Sequence, residues 1–242
     1  MEPILTQEHT VHVSLCDHTA RLSRQALFTL FMNIATEHAE KLGIGLSMLR
    51  QRGLFWMTVR TRIRIRRRPA MLETVRLTTW PETPGRLRCN RDYVLSSGDE
   101  ILAEGKTEWA IVDTATGRPH SPADVYPPEL REAVTPRPVW EGPFSRISED
   151  FSGAETLGEY TVRSTDVDLG GHMNNAAYPR MILGFFSTRQ LEELDWTDLE
   201  VCYRSPCFEG ERLTLKLRRG EDGTDIGVFR PDGKTALLAR FQ

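Results

Sequence analysis

No apolar stretch in the sequence approaches the ~20 residues that a membrane helix needs. The N-terminus, MEPILTQEHTVHV, has neither the basic start nor the apolar core of a signal peptide. Cysteine is scarce: Cys16, Cys89, Cys202 and Cys207 lie far apart, forming no CxxC pair and no dense disulfide framework. These absences predict a chain that spans no membrane and works in a reducing cytoplasm. There is no phosphate loop, no GxSxG elbow and no dinucleotide fingerprint. His12, Cys16 and His18 share a strand parity, but no fourth ligand is spaced to close a zinc site around them. Charge of one sign is also missing. At a net −3 the chain has no global preference for nucleic acid, so an anionic partner must be met by a local patch.

What is present is an ordinary globular balance, 39% hydrophobic and 27% charged over 242 residues, enough for one large domain or two of about 100–150 residues each. Val11, Val13 and Leu15 alternate with polar residues, the period of a half-buried strand. Ser23 suits a helix N-cap, and Leu27, Leu30, Phe31 and Ile34 follow at helical spacing until Gly43 and Gly45 stop the helix. Strand-like runs then cover 55–66, 74–80, 87–95 and 101–112, separated by turns rich in Pro, Gly and Ser.

From Asp113 to about Asp150 prolines gather among charged residues, which predicts a surface linker. The plan then restarts. A strand is expected over 158–164, and a helical stripe over Tyr178, Met181, Ile182 and Phe185, with Pro179 tolerated in the first turn. Four further strands are expected over 199–203, 213–218, 225–229 and 236–241. The halves overlay with Asp17 on Asp168, Arg21 on His172, Leu22 on Met173 and Pro69 on Pro206. The expected domains are residues 1–117, a linker over 118–150, and residues 151–242. The fold class is α+β: a long helix wrapped by a curved antiparallel sheet, twice over, each copy burying strand edges that one alone would expose.

Chemistry concentrates in residues 164–178, STDVDLGGHMNNAAY. Gly170 and Gly171 permit a sharp turn and close ligand approach. A helix starting beyond them offers unpaired N–H groups to an oxyanion. A carboxylate there can activate water or attack directly, and an imidazole can move protons. Asp, Asn and Gly are equally ordinary turn and capping residues, and a histidine near a helix start is often structural.

The spacing in DVDLGGHMNNAAY resembles the D-x-x-G-H-x-N-N-x-x-Y signature of hot-dog thioesterases. HAEKLGIG, GLFWMTVRTRIRIRRRPAMLETVRLTTWPE, RDYVL and EGKTEWAIVDTATGRP extend the resemblance to the plant and bacterial acyl-acyl-carrier-protein (acyl-ACP) thioesterases, over nearly the whole chain except the proline-rich linker. The resemblance implies two tandem hot-dog repeats and release of free fatty acid from acyl carrier protein, a step that terminates chain elongation. It implies no metal and no organic cofactor, and a first repeat that holds the acyl chain. The family's catalytic acid and histidine fall on Asp168 and His172. Its usual asparagine between them falls on Gly170, and a glutamate–cysteine pair of the plant enzymes falls on Pro206 and Cys207, so two of its side chains are missing.

The mechanism this implies has Asp168 activating water or attacking the thioester itself. N–H groups near Gly171 and His172 hold the carbonyl oxygen, and His172 passes a proton to the leaving thiolate. Asn174 or Asn175 supplies a further hydrogen bond or caps the helix. Cys207 is the rival nucleophile, if not a small buried core residue. Leu27, Leu30, Phe31, Ile34 and Trp56, with Met57 and Val59, are expected inside the first repeat, some against the acyl chain. Arg21 stands where a histidine would, so the first repeat is expected to be inactive. Arg60, Arg62, Arg64 and Arg66 share one strand face and, with Arg67 and Arg68, form a basic stripe. Such a stripe suits docking of an acidic carrier with a 4'-phosphopantetheine-linked chain, or is a solvated face paired with Glu and Asp. A monomer, as a pseudo-dimer of its repeats, or a homodimer fits the pattern. An acyl-CoA thioesterase, a dehydratase and a non-catalytic acyl-binding module are the competing readings.

Overall fold

Ser23 accepts the Ala26 N–H through its hydroxyl and so caps an 18-residue helix, α1 (Arg24–Lys41), which Gly43 ends with φ +70°. The computed structural model describes residues 2–133, 138–221 and 223–242. They divide into two compact units, 1–142 and 143–242.

In the first unit β1 (Leu5–Thr10) precedes α1. A short helix α2 (Leu46–Gln51) follows it, then β2 (Leu54–Ile65), β3 (Thr74–Pro81), β4 (Cys89–Ser97), β5 (Glu100–Asp113) and the two-residue β6 (Pro119–His120). The antiparallel order is β1-β3-β4-β5-β2, with β6 added to the end of β5. α1 lies on this sheet through its apolar stripe: Leu27, Phe31 and Ile34 are each 1% exposed. The Phe31 ring stacks on Tyr93, 4.6 Å between centroids. It also covers Gly105, where a Cβ would come within 2.2 Å of the ring, so only glycine lets the helix sit this close.

The alternation over residues 11–15 does not make a strand. Residues 13–15 form a 3-10 turn with Val13 74% exposed, and the strand lies earlier, in LTQEHT. The proline-rich stretch carries more structure than its composition suggests. After β6 come a 3-10 turn (Pro122–Asp124) and α3 (Pro128–Glu132), and Val125, Tyr126 and Leu130 are buried against Leu42, Ile44, Leu49, Leu54, Cys89 and Ile111. Within that stretch, residues 134–137 lie outside the described residues.

The second unit repeats the plan with β7 (Glu155–Thr161), α4 (Ala177–Leu183), α5 (Thr188–Leu194), β8 (Asp198–Tyr203), β9 (Arg212–Gly220), β10 (Gly223–Phe229) and β11 (Thr235–Phe241), in the order β8-β11-β10-β9-β7. Tyr178, Met181 and Ile182 are buried as the stripe requires. The helix is short, however. Gly184 caps it after seven residues, and Ser187 starts α5 with a capping box.

Candidate active site

The segment between β7 and α4 is a tight turn held at both ends. Residues 164–166 form a 3-10 turn, Val167 and Met173 make an isolated antiparallel bridge, and between them Asp168 N–H donates to His172 O at 3.0 Å. Gly171 N–H closes the loop onto Asp168 O at 3.0 Å, with Gly171 at φ +76°. This is the place where glycine's freedom matters, since a side chain there would be strained.

The turn brings Asp168 and His172 together, with His172 Nδ1 3.8 Å from Asp168 Oδ1 and the two side chains 30% and 23% exposed. Asp168 Oδ1 accepts the Gly170 N–H at 2.8 Å. A Cβ on Gly170 would stand 3.0 Å from His172 Nε2 and 3.1 Å from Asp168 Oδ1. A side chain at 170 would therefore require the imidazole or the carboxylate to give way by a few tenths of an ångström.

The supporting groups are arranged differently from the sequence-based expectation. The Gly171 N–H is spent on Asp168 O, whereas the His172 N–H makes no hydrogen bond among the described residues. Helix α4 starts five residues beyond His172 and spans less than two turns, so its N-terminus does not lie at the histidine. Asn174 is the turn's own cap: its Oδ1 accepts Ala176 N–H and its carbonyl accepts Ala177 N–H, both at 2.8 Å. Asn175 is half-buried, and its carbonyl accepts the Tyr203 hydroxyl at 3.0 Å. Cys207 is fully buried, and burial pushes its thiol above the ordinary range, partly offset by the Tyr178 hydroxyl. A thiol so held stays protonated near neutrality and is a poor nucleophile.

Asp166 emerges as the anchor of the turn, a role that spacing alone did not reveal. Its carboxylate, 1% exposed, accepts the Tyr160 hydroxyl at 2.7 Å, the Arg163 N–H at 2.9 Å and Arg180 Nη2 at 2.5 Å. Its backbone carbonyl accepts Asn174 N–H at 2.8 Å. One residue thus ties β7, α4 and both ends of the Asp168–His172 loop. The chemical type was visible in the sequence, but its partners Tyr160 and Arg180 lie six and fourteen positions away.

The first unit contains the same turn, bond for bond. Cys16 bridges Leu22, Asp17 N–H donates to Arg21 O at 2.9 Å, and Ala20 N–H donates to Asp17 O at 3.0 Å. Ala20 takes the left-handed backbone there, at φ +54°. Leu22 N–H donates to Pro69 O as Met173 N–H donates to Cys207 O, so Pro69 corresponds to Cys207, one residue beyond the Pro206 of the sequence overlay. Arg68 therefore corresponds to Pro206. The difference is chemical: Arg68 is ion-paired to Asp17, which also accepts the Thr19 N–H and hydroxyl. Burial alone would raise the Asp17 pKa, but the Thr19 and Arg68 hydrogen bonds and the Arg68 charge outweigh it and hold the carboxyl below its usual value.

Of the side chains expected to meet an acyl chain, Leu27, Leu30, Phe31 and Ile34 are buried between α1 and its sheet, and Trp56 donates its indole N–H to Ile44 O at 2.7 Å. Met57 is 42% exposed and points the other way. The arginine stripe divides. Arg66 pairs with Glu104, Arg67 is clamped by Glu73 and Glu100, and Arg68 is held by Asp17. Arg60, Arg62 and Arg64 project from the face of β2 opposite Thr61, Ile63 and Ile65, with Arg62 and Arg64 each 5.3 Å from the Trp140 ring centroid. Among the described residues no helix is long and apolar enough to cross a membrane.

Two family models match the chain: the acyl-ACP thioesterase N-terminal domain over residues 3–129 and the acyl-ACP thioesterase C-terminal domain over residues 151–228. A chloroplastic acyl-acyl-carrier-protein hydrolase of Cuphea viscosissima is 26% identical over 89% of the chain and 58% of that protein. An oleoyl-acyl carrier protein thioesterase of Coriandrum sativum is 25% identical over 76% and 54%. The chain thus spans just over half the length of these relatives. Among solved structures, an acyl-ACP thioesterase from Bacteroides thetaiotaomicron superposes with a TM-score of 0.84 at 21% identity, covering 99% of this chain and 97% of the other. A 12:0-ACP thioesterase from Umbellularia californica does so with 0.83 at 19%, covering 100% and 97%. At these identities the structures establish the fold, that of two hot-dog repeats.

Proposed function

The chain belongs to the acyl-ACP thioesterase family, and from that premise we propose that it hydrolyses the thioester joining an acyl chain to the phosphopantetheine arm of acyl carrier protein, releasing the free fatty acid. The observation that carries this reading is the contrast between the two turns. Asp17 is locked by Arg68, while the matching Asp168 bonds one backbone N–H through Oδ1 and lies 3.8 Å from His172. In this reading Asp168 acts as base toward water, or as nucleophile. His172 orients it and protonates the departing thiolate, and the His172 N–H meets the developing oxyanion. Asp166 positions the turn and takes no part in bond making. Cys207, buried and protonated, packs behind the turn.

The first unit holds the acyl chain, with Leu27, Leu30, Phe31, Ile34 and Trp56 forming its walls. Arg60, Arg62 and Arg64 are the side chains of the stripe that steer an acidic carrier. Cys16, Cys89, Cys202 and Cys207 form no disulfide among the described residues and three of them are buried, which suits a reducing cytoplasm. The test is thiol release from a panel of acyl-ACPs, matched acyl-CoAs and an Asp168→Ala control. Release that favours the carrier and disappears in the variant supports the reading. Equal turnover in Asp168→Ala removes Asp168 from the chemistry, and a preference for CoA changes the partner but not the mechanism.

A further inference from the structure

The interior of the first unit is not uniformly apolar. Cross-strand register sets three rows on the helix-facing side of β4, β5 and β2: Tyr93–Gly105–Ile63, Arg91–Thr107–Thr61 and Cys89–Trp109–Thr58. Apolar residues flank these rows, with Ile65, Leu95 and Ala103 beyond one end and Leu54 and Ile111 beyond the other. Part of the polar seam is satisfied. Arg91 donates to His38 Nδ1 at 2.9 Å and to the Thr79 hydroxyl at 3.3 Å, and Thr61 shares a hydrogen bond with Thr107.

The rest is not satisfied. Tyr93 Oη, Thr58 Oγ1 and Trp109 Nε1 are buried, and none makes a hydrogen bond of ordinary length and angle among the described residues, the Thr107 and Trp109 side chains giving Tyr93 Oη only longer polar contacts. They are neighbours, since Tyr93 interacts with the Thr107 and Trp109 side chains and Thr58 is paired with Trp109 across the strands. Tyr93 is 0% and Thr58 4% exposed, and although Trp109 as a whole is only half-buried its Nε1 is buried, so solvent at the surface does not reach the three polar atoms. Every such orphaned group is costly to bury, and three side by side call for a shared partner.

We propose that this seam hydrogen-bonds a hydroxyl carried on the acyl chain, making the first unit selective for hydroxylated over plain chains. The proposal rests on the reading of the first unit as the acyl-holding one. The matching is by donor and acceptor type. A Trp N–H only donates, and the Tyr and Thr hydroxyls donate or accept. A single alcohol oxygen accepts from Trp109 and Tyr93 and donates its own proton to Thr58, completing all three. A ketone accepts the two donors but leaves Thr58 unmatched.

The experiment is calorimetric binding of free dodecanoic and hexadecanoic acids, plain and with one hydroxyl or oxo group stepped along the chain, to the full-length protein. Tyr93→Phe, Thr58→Val and the double variant are titrated in parallel. They remove only hydroxyls that lack partners, so folding is expected to survive. At one position the hydroxyl should tighten binding about tenfold, the worth of one well-made buried hydrogen bond, and the oxo acid should gain less. The variants should erase the gain and leave plain-chain affinity within twofold. Equal affinity for plain and hydroxylated chains at every position means that water alone fills the seam and overturns the proposal. A gain that survives in the double variant overturns it as well. An equal gain from the oxo acid refutes the alcohol assignment. Failure of every acid to bind removes the acyl-holding reading along with the proposal, while leaving Asp168-dependent thiol release to be judged separately.

Discussion

Replacing Pro206 with Arg should switch the second turn into the state of the first. Matching backbone bonds, Leu22 N–H to Pro69 O and Met173 N–H to Cys207 O, place residue 206 where Arg68 stands relative to Asp17. That match should put an arginine at 206 within reach of Asp168. The Asp168 side chain is 23% exposed, close to the 21% of Asp17. A hydrogen bond between charged partners in such a setting is worth ~1.5–3 kcal/mol. In the proposed mechanism Asp168 must give it up before it can activate water or attack, and at ~1.4 kcal/mol per tenfold in rate, kcat should fall about 10- to 150-fold. KM should change little, because the residues proposed to hold the acyl chain lie in the other unit. The assay is thiol release from acyl-ACP, with thermal melting to show that the fold is intact and Pro206→Ala as control for loss of the proline ring. A Pro206→Arg variant within twofold of wild type, with the ion pair seen in its crystal structure, would refute the idea that Arg68 is what silences the first turn. An equal loss in Pro206→Ala would refute it differently, by making the ring itself essential.

Gly170→Ala should lower kcat about tenfold, because a methyl 3.0 Å from His172 Nε2 forces the ring away from Asp168; the His172–Asp168 separation in a crystal structure checks the cause. Asp166→Asn should destabilise the second unit by ~1–3 kcal/mol in urea unfolding and loosen the turn, since three donors lose their common carboxylate acceptor. His38 is pushed down to about 4, by burial first and the Arg91 charge second. Its folded pKa lies below its unfolded value, so the stability it provides is full above about pH 6.5 and is lost as pH falls toward 4, by up to ~3 kcal/mol. Urea titrations of wild type and His38→Gln at stepped pH should therefore converge through that window; a pH-independent gap would show that His38 does not titrate as described.

Most strands were legible because they are either alternating, as in β9, or short buried runs, as in β8, β10 and β11, and their turns are rich in Pro, Gly and Ser; the runs at 74–80 and 236–241 match β3 and β11 to within a residue. The first strand was missed for a physical reason. LTQEHT has one apolar residue and lies at the end of its sheet, so it has no buried face to advertise, while Val11 and Leu15 alternate by accident in a turn. Val125, Tyr126 and Leu130 were hidden among prolines that fold onto the first unit instead of leaving it. The pairing of Asp168 with His172 was legible because a four-residue turn joins them. The lock on Asp17 was not, because Arg68 is 51 residues away and its role depends on strand register. The same limit applies to Asp166, whose partners come from a strand before it and a helix after it.

In the proposed division of labour the first repeat, its aspartate tied to Arg68, has no turnover to protect. Substitutions along α1 or on the helix-facing side of β2, β4 and β5 can reshape what that interior accepts without disturbing the groups that break the bond. The first turn, held silent in this way, would leave selectivity free to drift while the Asp168–His172 turn stays unchanged. Lineages of this chain should diverge in the acids they release far sooner than in how they release them.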